Sequence, residues 1–379
     1  MTDSIKKLQC LEGTTSLYVE LAKDGYTTNP CCLYKADNPP TVNNIEELLS
    51  NPTIEALREK FKDDWKSPGC IDCVRNEELG EISLRMDSLR RGYNSGYDGV
   101  VRKWDIRPGN TCNLKCAMCS LSNSSKWIEE IEILKKYGNG DTNYKKEDLD
   151  FDWIYSQCVD TAELIYIAGG EPFYMKNVYK FLLNLSKHEW NCNNTRIQLV
   201  TNSVSNTPKM LDILSKFKKI EFCVSIDGWE KVNEIIRFPT NHNEFVKNTD
   251  ELMQLNPYDI YFNITVQCMN LPTIDELVSN IKDRWITDKD VYNKTHLTGG
   301  NPRIYELHKL QWPRQLSMNN LKPQVIERVL ETTKLPKLKK FCSEYKYDEN
   351  LNKTMQNYLL DLDKKRQTNS KEVLGWCFE

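Results

Sequence analysis

Short runs of alternating hydrophobic and polar residues recur along the middle of the chain, separated by longer amphipathic stretches. Between about residues 95 and 310 these runs predict six β-strands: VRKWDIR (101–107), ELIYIAG (163–169), RIQLVTN (196–202), KIEFCVSID (219–227), DIYFNITVQC (259–268) and RIYELHKL (303–310). The intervening stretches, such as NVYKFLLNLSKHEW and IDELVSNIKDRW, have helical spacing. This alternation predicts βαβ units and a parallel sheet, either open and doubly wound or a barrel that is not fully closed.

The flanking regions follow other patterns. TSLYVELAKDGY predicts a β-hairpin turning at Asp24-Gly25, and IEELLSNPTIEALREKF predicts helix interrupted at Asn51-Pro52. NLKPQVIERVLETT and TMQNYLLDLDKKR predict helices near the end of the chain, with charge runs that we interpret as solvated faces. We therefore divide the chain into an N-terminal α+β region (1–92), a strand–helix region (93–315) and a helical C-terminal extension (316–379).

Charge and cysteine content narrow the possible functions. Lys and Arg total 51 against 54 Asp and Glu, a net charge of -3, which argues against nucleic acid as a partner. The chain has no apolar leader and no long apolar run, so we expect a cytoplasmic protein without membrane association. Fourteen cysteines in such a chain predict reduced thiols that bind metal rather than a disulfide framework.

Three of these cysteines are concentrated in TCNLKCAMCS (111–120). Cys112, Cys116 and Cys119 could share one face of a helix, but Pro108, Gly109 and Asn110 predict a turn just before them. A loop with three thiolates can hold three irons of a 4Fe-4S cubane and leave the fourth iron open. The residues alone also allow a zinc site completed by a distant ligand.

The C-x3-C-x2-C spacing after a first strand resembles the radical S-adenosylmethionine (SAM) superfamily. The resemblance implies that the open iron of a 4Fe-4S cluster binds SAM, whose reductive cleavage gives a 5'-deoxyadenosyl radical. It also implies a partial (β/α)6 TIM-type barrel, which is the basis for preferring a barrel to an open sheet. Met118 stands where the family often has an aromatic residue, and its thioether can still pack on adenine.

Four later motifs strengthen the resemblance and imply SAM contacts. IYIAGGEPF is similar to the GGEP motif that contacts the SAM amino group, and LVTNS is similar to the family's TNG motif. VSIDG ends the fourth predicted strand, and NEIIRFPT follows it. An Arg is suited to the SAM carboxylate because its guanidinium matches a carboxylate in two-point geometry. The SAM-binding residues that we expect, besides Met118, are Gly169, Gly170, Glu171, Pro172, Asn202, Ser225, Asp227 and Arg237.

The N-terminal cysteines form a second candidate site. Cys10 precedes the hairpin, Cys31 and Cys32 follow it, and Cys70 and Cys73 have the C-x2-C spacing of a metal-ligand pair. The order resembles twitch or SPASM-type auxiliary-cluster domains, here placed before the barrel. We expect an auxiliary 4Fe-4S cluster bound by Cys10, Cys31, Cys70 and Cys73, with Cys32 as the alternative to Cys31 and zinc as the alternative metal.

These features predict a radical SAM enzyme that abstracts hydrogen from a peptide or small molecule and receives electrons from a donor such as flavodoxin or ferredoxin. Two alternatives remain open: a non-catalytic binding protein stabilised by zinc, and a radical SAM enzyme acting on nucleic acid. The sequence assigns no catalytic residue. Cys377, near the C-terminus, is either a hydrogen donor or a thiol without a role.

Overall fold

We describe a computed structural model of the 379-residue chain. It describes residues 10–22, 25–36, 39–78, 80, 82–90, 99–138, 148–286 and 304–379. Asp24, at the predicted hairpin turn, and Arg303, at the start of the sixth predicted strand, lie outside these residues.

Within the described residues, a single nine-stranded sheet organises the fold, with the strand order β3-β2-β1-β4-β5-β6-β7-β8-β9. Every pairing from β1 through β4 to β9 is parallel, whereas β2 pairs antiparallel with both β1 and β3. The strands are β1 (Ser16–Ala22), β2 (Gly25–Asn29), β3 (Thr41–Val42), β4 (Lys103–Arg107), β5 (Leu164–Ile167), β6 (Arg196–Thr201), β7 (Lys219–Ser225), β8 (Asp259–Val266) and β9 (Tyr305–Lys309).

The prediction of a mostly parallel α/β sheet is confirmed. Each of the six predicted strands contains one of β4 to β9, and consecutive strands are neighbours in the sheet, the arrangement expected of a partial barrel. The chain leaves the sheet at residues such as Pro108 and Gly169: β4 ends at Arg107 as predicted, and β5 to β9 end one or two residues earlier than predicted. These departures place the loops that follow the strands at one edge of the sheet.

The N-terminal hairpin joins this sheet. Tyr18 pairs with Asn29 and Ala22 with Gly25, which confirms the antiparallel hairpin. β1 also runs parallel to β4, with Ser16 opposite Lys103, so the N-terminal region extends the barrel sheet by further strands.

Helices fill the connections between strands. They are α1 (Leu11–Thr15), α2 (Pro52–Asp63), α3 (Ile71–Glu78), α4 (Leu84–Arg90), α5 (Ile131–Tyr137), α6 (Asp152–Cys158), α7 (Lys176–Leu185), α8 (Glu189–Asn194), α9 (Pro208–Leu214), α10 (Glu230–Ile236), α11 (His242–Gln254), α12 (Ile274–Trp285), α13 (Pro323–Thr332), α14 (Pro336–Ser343), α15 (Glu349–Arg366) and α16 (Ser370–Val373). The single helix predicted over NVYKFLLNLSKHEW is two helices, α7 and α8. Among the described residues, no helix is long and apolar enough to cross a membrane.

The two faces of the sheet differ in polarity. Trp104 and Ile106 on β4, and their counterparts on the neighbouring strands, belong to one large apolar core that includes the helices. The opposite face, which we call the polar face, carries Asp105, Tyr166 and Gln198 in a single register row. A parallel barrel normally fills its interior with branched apolar residues, so this polarity indicates a binding surface.

Candidate metal and cofactor site

The three thiols of TCNLKCAMCS lie close together beyond the carboxyl end of β4. Cys112 and Cys116 are buried, Cys119 is half-buried, and the thiols of Cys116 and Cys119 hydrogen-bond to each other. Leu114 packs with the three cysteines in a small cluster of its own. Burial raises the pKa of the Cys112 thiol to about 12. A bound cation would therefore be needed to hold this group as a thiolate near neutral pH.

Backbone hydrogen bonds hold this loop against the end of α10. The Lys115 N–H donates to the Phe238 carbonyl (2.6 Å), and the Ala117 N–H donates to the Ile236 carbonyl (2.7 Å). Arg237 lies between these two acceptors. The loop and the predicted SAM-carboxylate ligand are thus fixed to each other.

The C-terminal extension holds the loop from another side. On α15, the Tyr358 hydroxyl donates to the Ala117 carbonyl at 2.8 Å. Arg366, at the end of the same helix, donates two hydrogen bonds to the buried Glu130 carboxylate (3.0 and 2.8 Å), which also pairs with Lys115 at 2.7 Å. The interpretation of this charge run as a solvated face was therefore wrong for Arg366, whose partner lies 236 residues away in sequence.

Two side chains direct N–H groups at the loop sulfurs. Arg237 Nη1 lies 4.0 Å from Cys116 Sγ, and Asn202 Nδ2 lies 4.0 Å from Cys112 Sγ. Arg237 Nε is held 2.7 Å from Asp227 Oδ2. N–H donors to metal-bound sulfur are a common supporting feature of iron–sulfur sites. The residues present therefore fit an anionic thiolate cluster.

The Asp227 carboxylate is buried and contacts neighbouring protein groups. Its Oδ1 accepts the backbone N–H of Thr265 at 2.6 Å, and its other oxygen faces Arg237. Burial raises the pKa of this carboxyl and Arg237 opposes that shift. Ser225 is buried on β7 opposite Asn263 of β8.

The GGEP turn packs directly on the cysteine loop. Gly169 and Gly170 both have positive φ, 111° and 55°, as predicted for this turn. A Cβ on Gly170 would lie 2.5 Å from the Thr111 carbonyl oxygen, and the Glu171 N–H donates to that same oxygen at 2.9 Å. Gly170 therefore allows two backbone segments to come into contact.

The Glu171 side chain points into the protein. Its carboxylate accepts hydrogen bonds from the Asn202 N–H (2.7 Å), the Thr201 hydroxyl (2.8 Å) and the Phe173 N–H (3.1 Å). Burial raises its pKa to about 7 despite these donors. Glu171 thus connects the end of β5 to the end of β6. Pro172 begins a short 3-10 helix after it.

The N-terminal thiols surround a second space, which we call the four-thiol cavity. It has a volume of about 20 Å³, and Cys10, Cys31, Cys70 and Cys73 all line it. Burial raises the pKa of the Cys10 thiol to about 12, and the neighbouring Cys70 and Cys73 add to that rise. The four predicted ligands therefore line one common cavity.

Neither group of thiols has the geometry of a single-ion site. In the described part of the chain, no set of three or more His, Cys, Asp or Glu residues is arranged to hold one metal ion.

Cys32 faces away from the four-thiol cavity. It lines a separate cavity on the polar face, where its thiol donates a hydrogen bond to Asp105. Cys31 and Cys32 are thus directed to different spaces. Cys377 is buried and its thiol donates to the Cys268 carbonyl.

Residues 106–279 match the family model described as the Radical SAM superfamily. These residues, a little under half of the chain, are similar to a radical SAM domain. This domain includes the cysteine loop, the GGEP turn, Asn202, Asp227 and Arg237. Its presence supports an enzyme of the radical SAM kind.

Solved structures of low similarity to the chain include three radical SAM proteins. anSMEcpe with bound AdoMet is 15% identical over 60% of this chain and 55% of its own, with a TM-score of 0.41. SuiB of Streptococcus suis bound to S-adenosylmethionine is 15% identical over 93% of this chain and 69% of its own (TM-score 0.34). TYW1 with a lysine-pyruvate adduct is 12% identical over 59% and 70% (TM-score 0.28). The chain spans about half the length of anSMEcpe, and no curated protein matches it.

The sequence did not indicate several residues that support the site. Tyr358, Arg366 and Glu130 meet only through contacts between distant segments, which leave no local pattern. Asn113, whose Oδ1 accepts from Asn202 Nδ2 at 2.8 Å, lies inside the cysteine motif. Its position between Cys112 and Cys116 was the signal that the sequence offered.

Proposed function

We propose that the chain is a radical SAM enzyme whose SAM-cleaving 4Fe-4S cluster is bound by Cys112, Cys116 and Cys119. The observation that carries the proposal is the convergence of these thiols with Arg237 and Asn202, each with an N–H group 4.0 Å from a loop sulfur. When bound and reduced, the cluster supplies the electron that cleaves SAM to methionine and a 5'-deoxyadenosyl radical, which abstracts hydrogen from a substrate.

The surrounding residues would hold SAM and orient it. Arg237 is fixed by Asp227 and adjoins the loop, so its guanidinium can bind the SAM carboxylate beside the open iron. The carbonyls of the GGEP turn can accept from the SAM amino group, and Met118, half-buried at the loop, can pack on adenine. Ser225 is available for the ribose hydroxyls.

We further propose that the four-thiol cavity holds an auxiliary 4Fe-4S cluster with Cys10, Cys31, Cys70 and Cys73 as its ligands. The lining of the cavity supports this set and supports Cys31 over Cys32. A cluster with four protein ligands has no open iron, so its role would be electron transfer or structure. The electron donor would be a flavodoxin or ferredoxin, and the substrate a peptide or small molecule.

Anaerobic reconstitution with iron and sulfide tests both sites. The wild-type chain should bind about eight irons, and Cys112→Ala/Cys116→Ala/Cys119→Ala should bind about four. Cys192→Ala, at a half-buried thiol outside both sites, is the matched control and should still bind about eight. With SAM and dithionite, the wild type should form 5'-deoxyadenosine and methionine, and the triple variant neither.

Two results would contradict the proposal. A fully iron-loaded protein that does not cleave SAM under strong reduction would not be a radical SAM enzyme. A colourless, zinc-loaded protein from anaerobic purification would support the zinc-stabilised binding protein instead.

A further inference from the structure

Asp227, the ion-pair partner of Arg237, is held in place by more than its carboxylate. Its side chain accepts the Thr265 N–H, and its backbone N–H and backbone carbonyl are both bonded to asparagine side chains. Asp227 is completely buried and follows the end of β7 by two residues. A buried residue whose polar groups are satisfied in this way is held rigidly.

Asn270 holds the carbonyl side of Asp227. Its Nδ2 donates to the Asp227 carbonyl oxygen at 2.8 Å and to the Thr265 carbonyl oxygen at 2.9 Å. Its Oδ1 accepts the Gln267 N–H at 2.9 Å. The completely buried Asn270 side chain thereby joins the segment after β7 to the end of β8. A substitution that removes the amide would deprive two buried carbonyl oxygens of this donor.

Asn233, on α10, holds the other side of Asp227. Its Oδ1 accepts the Asp227 N–H at 3.0 Å. The backbone carbonyl of Asn233 accepts the Arg237 N–H at 2.8 Å, where α10 ends. This completely buried residue thus fixes the backbone of both members of the Asp227–Arg237 pair.

The loop that carries Asn270 is itself anchored. The Cys268 N–H donates to the Leu316 carbonyl at 2.9 Å, and the Cys268 carbonyl accepts from Trp376 Nε1 at 3.0 Å. The C-terminal segment therefore bonds to this loop two residues before Asn270. Asn270 consequently presents its amide to Asp227 from a fixed support.

The direction of the Arg237 guanidinium depends on where Asp227 lies. Arg237 Nε is 2.7 Å from Asp227 Oδ2, and Arg237 Nη1 is 4.0 Å from Cys116 Sγ. A guanidinium binds a carboxylate as a planar fork, so its angle matters as well as its distance. Removing a group that orients a ligand-binding residue typically costs about 10- to 100-fold in affinity or activity.

From these contacts we propose that Asn233 and Asn270 are positioning residues for SAM: by fixing both peptide groups of Asp227, they aim the Arg237 guanidinium at the SAM carboxylate. The inference rests on the proposed function, in which Arg237 binds that carboxylate, and adds the residues that set its geometry. Both asparagines act through Asp227 and Arg237 rather than by contact with SAM.

Binding of two matched ligands tests the inference. The anaerobically reconstituted full chain, without reductant, is titrated calorimetrically with SAM and with decarboxylated SAM, which lacks only the carboxylate. Asn270→Ala should bind SAM about tenfold more weakly than the wild type does and should bind decarboxylated SAM equally well. An equal loss for both ligands, which a purely structural role would cause, or an unchanged affinity for SAM would overturn the proposal.

A double-mutant cycle shows whether the effect passes through Arg237. In an Arg237→Ala background the SAM carboxylate has lost its partner, so the addition of Asn270→Ala should cause no further loss of SAM affinity. Additive losses would mean that Asn270 acts by another route and would overturn the assignment.

Asn191 provides the matched control. It is equally buried, its Oδ1 accepts the Asp160 N–H at 3.1 Å, and its Nδ2 donates to the Thr195 hydroxyl at 2.9 Å. It lies on α8, just before β6, and so at the opposite edge of the sheet from the cysteine loop. Asn191→Ala should destabilise the fold and leave both affinities unchanged, and a loss confined to SAM there would overturn the proposal. If Asn270→Ala does not fold, Asn233→Ala decides, with the same expected loss for SAM alone.

These measurements are distinguishable from the test of the proposed function. A reconstituted wild-type chain that does not bind SAM would contradict the proposed function and, with it, this assignment. Wild-type binding of SAM without a preference over decarboxylated SAM, or a preference that survives undiminished in both asparagine variants, would contradict only the assignment of the two asparagines.

Discussion

Cys31 and Cys32 are adjacent in sequence but line different cavities. Cys31 faces Cys10, Cys70 and Cys73, and Cys32 faces Asp105. We expect Cys31→Ser to lose the auxiliary cluster, about four of the eight irons, and Cys32→Ser to retain all of them. Iron and sulfide analysis of the two isosteric variants makes the comparison. Equal losses from both, or a loss from Cys32→Ser alone, would contradict the assignment.

Gly170 is a second position where we expect a single substitution to change the protein strongly, here its free energy of unfolding. An alanine there combines a φ of 55° with a Cβ 2.5 Å from the Thr111 carbonyl. Gly138 has a similar φ of 67° but open space around its Cβ. Gly138→Ala should therefore lose about 1 kcal/mol of unfolding free energy from backbone strain alone. Gly170→Ala should lose about 2 to 4 kcal/mol, since overpacking adds to that strain. Urea unfolding measures both, and equal losses would mean that the contact with Thr111 relaxes freely.

At the scale of elements, helix α15 supports the cysteine loop through two side chains. Tyr358 binds the Ala117 carbonyl and Arg366 neutralises the buried Glu130. Arg366→Ala should lower the free energy of unfolding by about 3 kcal/mol, because it leaves a carboxylate buried with Lys115 as its remaining partner. Lys365→Ala, which breaks only an exposed pair with Glu132, should cause no measurable change. Chemical unfolding of the two variants makes the comparison.

Tyr358→Phe tests whether the contact of α15 with the cysteine loop also affects the proposed cluster at Cys112, Cys116 and Cys119. It removes one hydrogen bond to the loop and preserves the ring, so stability should fall by about 1 kcal/mol. The electron paramagnetic resonance spectrum of the reduced cluster with SAM should shift, because the loop carbonyl is free to move. Tyr347→Phe, at a more exposed tyrosine outside this contact, is the matched control. An unaltered spectrum would limit α15 to a stabilising role.

Local pattern accounts for much of the fold at this scale. The six strands were predictable because alternating side chains and turn residues mark each one independently of its partners. The break between α7 and α8 was not, since apolar residues continue at helical spacing through Leu185 while Ser186 caps the first helix. The cysteine and glycine motifs are also local patterns, so the sequence indicated the site from them. The contacts made by Tyr358 and Arg366 are not local, so the sequence did not indicate them. Their partners are more than 200 residues away.

At the scale of the whole molecule, the N-terminal region and the barrel share one sheet. The parallel pairing of β1 with β4 joins segments that lie more than 80 residues apart, so a boundary at residue 92 marks a change in sequence pattern without a break in the sheet. No local signal predicts which strand covers the outer edge of β4. The polar face, with Glu12 and Lys103 in contact, is built from both regions.

Removal of residues 1–92 should therefore damage the barrel itself. The truncated chain would expose the edge of β4 and leave the buried Lys103 without Glu12, and we expect it to aggregate. Size-exclusion chromatography checks this. Glu12→Gln removes the charge on α1 but leaves β1 paired with β4. This variant should remain monomeric and be less stable than the wild type. A soluble, monomeric truncated chain would identify the barrel as an independent unit.

The adjacency of Cys31 and Cys32 constrains how this chain can vary in length. One peptide bond separates the two thiols, with consecutive Cα atoms about 3.8 Å apart. Inserting or deleting a single residue between Asn29 and Cys31 would move one thiol into the place of the other and put a residue other than cysteine in the remaining place. Related chains that retain both cavities should therefore differ in residue type just after β2 far more readily than in the number of residues.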